Sequence, residues 1–267
     1  MDQTRDLDLI DTHAHLDMAP LSDDQQGAIL RAQEAGVSQI ITIGTDLESS
    51  ESAAALASRF AGVFAAIGIH PHDAALADSV ALKRLEGLAS LQKVVAIGEI
   101  GLDFAKEYPP KSLQKEAFIS QLDLAKRTNL PIVIHDRSAH EETLDVLAGF
   151  EGQGIGGVLH CFSGDIAMAE RVFELGFFIS VTGIITFPKT DALKDVVRQT
   201  PLQNLLIETD CPFLSPAPFR GRPNEPARVG YIAREISRLK NMPLEEVARC
   251  TSANARRLFR LPHPQDQ

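Results

Sequence analysis

The sequence is short of cysteine, of positive charge and of long apolar runs, and each shortage closes off a class of protein. Cys161, Cys211 and Cys250 are the three cysteines in 267 residues, too few for a disulfide framework and suited to a reducing compartment. No apolar run approaches the ~18 residues of a membrane-spanning helix. The charged N-terminus lacks the apolar core of a signal peptide, so a cytoplasmic protein with no membrane partner is expected. Lys and Arg number 26 against 36 Asp and Glu, a formal net charge of −10, which argues against broad, non-specific binding along a nucleic-acid backbone. A metal site that grips one or two phosphates stays open, because the ions bring their own positive charge. No linker, composition shift or repeat of roughly 20–50 residues divides the chain, so residues 1–267 are expected to form a single domain.

What is present is an even alternation. Short apolar runs are followed by amphipathic segments of helical length. Strands are predicted at 7–13, 37–43, 63–69, 93–98, 131–134, 155–159, 177–181 and 204–208. Helices are predicted near 24–35, 47–60, 78–90, 111–128, 139–148, 165–175, 189–199 and 225–240. A last helix, 243–259, opens with Pro243, Glu245 and Glu246, residues favoured in a first turn. Eight strands, each followed by a helix, predict an α/β chain folded as a (β/α)₈ TIM barrel rather than an open doubly wound sheet. The longest irregular piece runs from Cys211 to Pro226, and irregular segments of that length in compact domains tend to be functional.

A parallel barrel carries its chemistry at the carboxyl ends of its strands. There the first strand offers His13 and His15, the fourth Glu99, the fifth His135, the sixth His160 and the eighth Asp210. His13 and His15 are two apart, so on a strand they point the same way, with Asp11 in the same register. One such residue has an ordinary explanation as a rim histidine, a barrel salt bridge or a turn cap. Six at five strand ends do not: burying them together without a metal leaves unpaired polar groups worth several kcal/mol. Imidazoles and carboxylates suit zinc, manganese or a related divalent ion. Glu208, in register with Asp210, is read as a residue behind the ligands, orienting one of them or a basic side chain. His70 is read as a rim residue that touches substrate phosphate or else holds a structural hydrogen bond, and Arg137, Arg220, Arg222 and Arg228 as a local basic rim or else ordinary solvated charge. Pro71 interrupts strand geometry, so His70 and His72 need not share a face. His140 and His263 are expected to be solvated, and Cys161 and Cys211 to pack rather than ligate.

These residues sit in recognisable surroundings: Ile-Asp-Thr-His-Ala-His-Leu-Asp at 10–17, Gly-Ile-His-Pro-His at 68–72, Ile-Gly-Glu-Ile-Gly-Leu-Asp at 97–103, Ile-His-Asp-Arg at 134–137, His-Cys-Phe-Ser-Gly at 160–164, Glu-Thr-Asp-Cys-Pro-Phe-Leu at 208–214 and Arg-Gly-Arg-Pro-Asn-Glu-Pro at 220–226. In this order the series resembles the TatD family of metal-dependent hydrolases, among the amidohydrolase-like barrels. The resemblance implies one or two divalent ions (zinc, manganese, magnesium or similar) and a phosphodiesterase activity, usually a deoxyribonuclease. It makes His13, His15, Glu99, His135, His160 and Asp210 the metal ligands, with Glu99 shared between two ions. The chain departs from the family pattern at Phe104, Phe213 and Phe219, where tyrosines are common, and at Pro223, which replaces a basic residue; these bear on substrate choice. No lysine stands at position 99, so a carbamylated-lysine bridge is not expected.

The expected enzyme is therefore a divalent-metal deoxyribonuclease trimming DNA ends, with Asp210 as ligand and general base. One alternative is ester or amide hydrolysis, such as removal of D-aminoacyl groups from transfer RNA. The other is a metal-stabilised scaffold without catalysis.

Overall fold

The segment Val-Ser-Gln-Ile-Ile-Thr-Ile shows how the apolar runs become strands. Five of its seven residues are β-branched and stiff at χ1, and nearly all are buried, as befits a strand covered on both faces. The computed structural model describes residues 7–106 and 108–263. The expected domain of 1–267 also takes in residues 1–6, 107 and 264–267, which lie outside the described residues. Eight strands form one parallel sheet in chain order: β1 (Leu9–Ala14), β2 (Val37–Ile43), β3 (Val63–Ile67), β4 (Val94–Asp103), β5 (Ile132–Arg137), β6 (Gly157–Leu159), β7 (Phe178–Val181) and β8 (Leu205–Ile207). Between them run α1 (Gln25–Glu34), α2 (Leu47–Arg59), α3 (Ser79–Leu88), α4 (Lys111–Thr128), α5 (His140–Ala148), α6 (Ile166–Glu174) and α7 (Asp191–Gln199). After β8 come α8 (Val229–Lys240) and α9 (Leu244–Phe259). The eight parallel strands in chain order, with helices between them, make a (β/α)₈ TIM barrel.

Short acidic caps start several of the helices. Asp46 accepts from Ser49 N while the Ser49 hydroxyl satisfies the cap's own N–H, and Asp78 and Asp165 cap α3 and α6 in the simpler way. Most buried apolar side chains lie between the sheet and its helices. A second cluster, including Ile10, Ile41, Val133 and Leu206, is joined by Phe259 and Leu261, so the end of α9 plugs the barrel. The polar strand ends are left to the other mouth. Among the described residues no helix is long and apolar enough to cross a membrane.

Two strand boundaries differ from expectation in a way that matters for the site. β4 does not stop at 98 but continues to Asp103. Its register with β5 slips between Ile97 and Ile100, a bulge that re-aims Glu99. Gly101 permits the continuation: its φ is +140°, and a Cβ there would lie 2.1 Å from His135 O. β1 ends at Ala14, so His15 lies just past it. The helix expected from 225 starts at Val229, after a single 3₁₀ turn over Pro226–Arg228.

The barrel closes where β8 meets β1, and the closure is built from the mouth. Asp210 N donates to His13 O at 2.8 Å and His15 N to Cys211 O at 2.8 Å. Asp11, expected in register with the histidines, is wholly buried and latches this seam instead: it accepts Thr209 N at 2.8 Å and Thr209 Oγ1 at 2.6 Å. Asp11→Ala strands both Thr209 donors, each worth about 1–3 kcal/mol, and takes the weaker acceptor at 3.3 Å from His13 N. Urea denaturation should show a loss of about 2–6 kcal/mol, with metal content per folded molecule unchanged.

Candidate metal centre

At the open mouth the structure brings His13, His15, Glu99, His135, His160 and Asp210 to one place, and His70 with them. Glu99 is the middle of the group. Its Oε2 is 3.6 Å from His13 Nε2, while Oε1 is 2.7 Å from His135 Nδ1, 2.9 Å from His160 Nε2 and 3.7 Å from His70 Nε2. Asp210 faces His15 Nε2 at 3.5 Å and His13 Nε2 at 3.7 Å. Its backbone is left-handed, with φ +55°, a conformation aspartate tolerates better than most residues and one that recurs at functional sites. Three sets of donor atoms lie close enough to share an ion: His13, His160 and Asp210; His13, His15 and Glu99; His70, Glu99 and His135.

The outward nitrogens decide which inward nitrogens are free to bind. His15 Nδ1 is 3.3 Å from Ile43 O, a group that only accepts, so the ring donates there and its Nε2 lone pair points inward. His135 Nε2 is 3.2 Å from Asp103 Oδ2, which leaves Nδ1 toward Glu99. His160 Nδ1 lies 3.4 Å from Glu208 Oε1, whose carboxylate also accepts Cys161 N at 2.6 Å. This is the usual second support of a metal-binding histidine. His70 differs: its Nδ1 accepts His72 N at 3.1 Å, so a neutral ring carries its proton on Nε2 and presents a donor rather than a lone pair.

Electrostatics sharpen the division. Burial pushes the Glu99 carboxyl up, but His160, His70, His13 and His135 together hold it well below the usual carboxylate range. Asp210 follows the same pattern, burial being outweighed by His15, His13 and His160. Burial pushes His160 down, yet Glu99 and Glu208 raise it well above the ordinary histidine value. His15 and His135 are raised likewise by Asp210, and by Asp103 and Glu99. Burial, helped by neighbouring His135 and His72, pushes His70 down to about 3 despite Glu99. Two ionised carboxylates buried among inward imidazoles, with His13 Nε2 and His15 Nε2 only 3.3 Å apart, form a donor set that fits a divalent ion.

Asp103 is the residue that sequence reasoning missed. It is fully buried and its Oδ2 joins His72 Nε2 at 2.9 Å to His135 Nε2 at 3.2 Å. Burial raises its carboxyl, but His135 and His72 hold it far below the usual range. The signal was its spacing: four residues beyond Glu99, it lies on the same face of a strand that had been expected to stop sooner. His140, expected to be solvated, holds Asp136 Oδ2 at 2.6 Å. The basic rim contracts. Arg137 stands at the mouth, 60% exposed, with NH1 3.9 Å from Asp103. Arg220 lies over the Phe187 ring at 4.2 Å, Arg222 is exposed, and neither lines the mouth. Arg228 is spent on the Ser215 hydroxyl and the Phe219 ring. Cys161 and Cys211 join none of the three donor sets.

Comparison with known proteins gives the same picture. The family described as TatD related DNase matches residues 10–260. The metal-dependent hydrolase YabD of Bacillus subtilis (strain 168) is 42% identical over 253 residues, covering 95% of this chain and 99% of its own. A protein of Cronobacter sakazakii named 3'-5' ssDNA/RNA exonuclease TatD is 35% identical, over 94% of this chain and 97% of its own. The crystal structure of YjjV, a TatD homologue from Escherichia coli K12, superposes with a TM-score of 0.91 at 36% identity, covering 95% of this chain and 98% of that one.

Two outcomes test the centre. Removing the Asp103 carboxylate frees the His135 ring, so Asp103→Ala should weaken metal binding by about 10–100-fold in equilibrium dialysis while the fold survives. Raised histidines at 15, 135 and 160 must also lose protons before binding metal. Affinity should therefore climb as pH rises through and above about 6.5, with proton release measurable by calorimetry in buffers of different ionisation enthalpy. A pH-independent affinity would contradict this assignment.

Proposed function

The chain belongs to the family of TatD-related DNases and is a metal-dependent hydrolase, and on that premise we propose that its barrel mouth hydrolyses the phosphodiester bonds of DNA, working from strand ends. The observation that carries the reading is Glu99, one oxygen turned to His13 and the other to His135 and His160. Glu99 with His13, His15, His135, His160 and Asp210 would hold one or two divalent ions. Zinc, manganese and magnesium all remain within the reach of this donor set. Bound there, a divalent ion supplies Lewis acidity toward a phosphoryl oxygen and lowers the pKa of water.

The chain's own groups do the rest. Asp210 is ionised, and its side chain is 14% exposed where Glu99 is 5%, so it is the carboxylate placed to take a proton from the attacking water. His70 offers Nε2–H toward the same space, a donor for a phosphate oxygen. Arg137 adds a guanidinium at the mouth. Glu208 holds the Cys161 N–H and stands behind His160, fixing the loop that carries this ligand. With a net charge of −10 and, among the described residues, one guanidinium at the mouth, the substrate is gripped by few phosphates, which suits strand ends better than tracking along a duplex. We read residues 1–267 as one such domain working in a reducing compartment such as the cytoplasm, in keeping with three free cysteines.

The decisive assay gives the purified protein Mn²⁺, Mg²⁺ or Zn²⁺ and end-labelled DNA, RNA and D-aminoacyl-tRNA. Metal-stimulated release of nucleotides from DNA ends is expected; deacylation without DNA cleavage would overturn the substrate reading. Asp210→Asn keeps size and one ligand oxygen but cannot accept a proton. It should fold, retain most of its metal and lose at least ~10²-fold in cleavage rate. Cleavage within about threefold of the parent at equal metal content rules Asp210 out as the base, because that loss is far below a general base's contribution.

A further inference from the structure

Two cavities meet at the mouth, and their walls differ in kind. The first, about 480 Å³, holds His15, His70, Glu99 and Asp210. The second, about 630 Å³, lies on the β6 to β8 side, and its walls are Phe162, Ile184, Leu193 and Leu214. His135, Arg137, His160 and Asp210 belong to both. An apolar cleft of this size, opening on a few convergent polar groups, is the usual form of a small-molecule subsite.

The apolar wall is a built feature. Leu214 has φ +51°, an uncommon conformation for a bulky residue, which the surrounding loops must hold in place. The β7 loop supplies the support: a Cβ on Gly183 would lie 2.1 Å from Leu214 O, so only glycine lets the two loops approach this closely. Thr186 Oγ1 ties them again by accepting Ala217 N at 2.8 Å. Phe162, only 4% exposed, supplies an aromatic face at the floor. Ser163 and Thr190 set hydroxyls at the rim.

We propose that this cleft is a nucleobase subsite, holding one base of the nucleotide whose phosphate faces His70 and Arg137 at the metal centre. The proposal rests on the phosphodiesterase reading and deepens it. A phosphodiester carries two nucleosides away from its phosphorus, and the edge where the two cavities join, at His135, Arg137, His160 and Asp210, gives one of them a path out of the donor cluster. A base has flat apolar faces and polar edges. The cleft answers the faces with Phe162, Leu193 and Leu214 and the edges with hydroxyls that discriminate weakly, so it takes any base. A single base entering a walled cleft must be unstacked from its neighbours, which strand ends allow at little cost.

The test is binding, read apart from turnover. Calorimetry on the Mn²⁺-loaded protein compares deoxyadenosine monophosphate with deoxyribose phosphate, which keeps phosphate and sugar but lacks the base. The nucleotide should bind at least about tenfold tighter, the scale of one base packed on apolar side chains. Ala192 is exposed on α7 and lines the cleft, so Ala192→Trp fills it without disturbing the core. This variant should lose the base advantage while metal content and thermal midpoint hold; Leu193→Asn, which opens the wall instead, should reduce it severalfold. Equal affinity for the two probes, or an advantage that survives both substitutions, overturns the subsite. DNA cleavage tests the underlying reading separately. Base-dependent binding without cleavage keeps the subsite and rejects the nuclease, whereas cleavage with base-independent binding does the reverse.

Discussion

A carboxylate buried among imidazoles is the constraint on which the rest of the mouth depends. Glu99 is 5% exposed, and water cannot supply the solvation that an ionised group loses on burial. The chain compensates with positive charge, from raised histidines or from metal. Each histidine must then be aimed. His15 is held by Ile43 O, His135 by Asp103, and His160 is backed by Glu208. Loss of one of these outer partners frees a ring and leaves Glu99 less completely satisfied.

The same atoms close the barrel. The β1 to β8 seam relies on Asp210 N to His13 O, His15 N to Cys211 O, and the Asp11 latch on Thr209. Backbone groups of His13, His15 and Asp210 are therefore structural while their side chains face the mouth. Closing the seam brings His13, His15 and Asp210 together. At the opposite end, Phe259 and Leu261 fill the barrel with apolar side chains. The cluster of histidines and carboxylates is left to the mouth, and it, rather than the protein's net charge, sets the local field there.

Much of this was legible in the chain. β2 and α4 fall where periodicity puts them, at 37–43 and 111–128, because long apolar patterns determine elements well. The strand ends also announced His13, His15, Glu99, His135, His160 and Asp210 as residues of one mouth, since parallel topology sends every strand end to the same side. Asp103 was hidden because β4 runs through a bulge and two glycines that read as a stop. Asp11 shares the register of His13 and His15, yet it is a latch, since its side chain meets Thr209, 198 positions away.

The sequence by itself determined the elements, their order and the chemistry of each strand end, because those depend on local pattern and residue type. Only the tertiary structure decided which nitrogen of each ring points inward, since that turns on distant partners such as Ile43 O and Asp103. It alone removed Arg220 and Arg222 from the mouth, by the placement of one long loop against Phe187. It alone set an apolar cleft beside the most polar spot in the molecule, because Ile184 of the β7 loop, Leu193 of α7 and Leu214 of the loop after β8 meet there as no local pattern encodes.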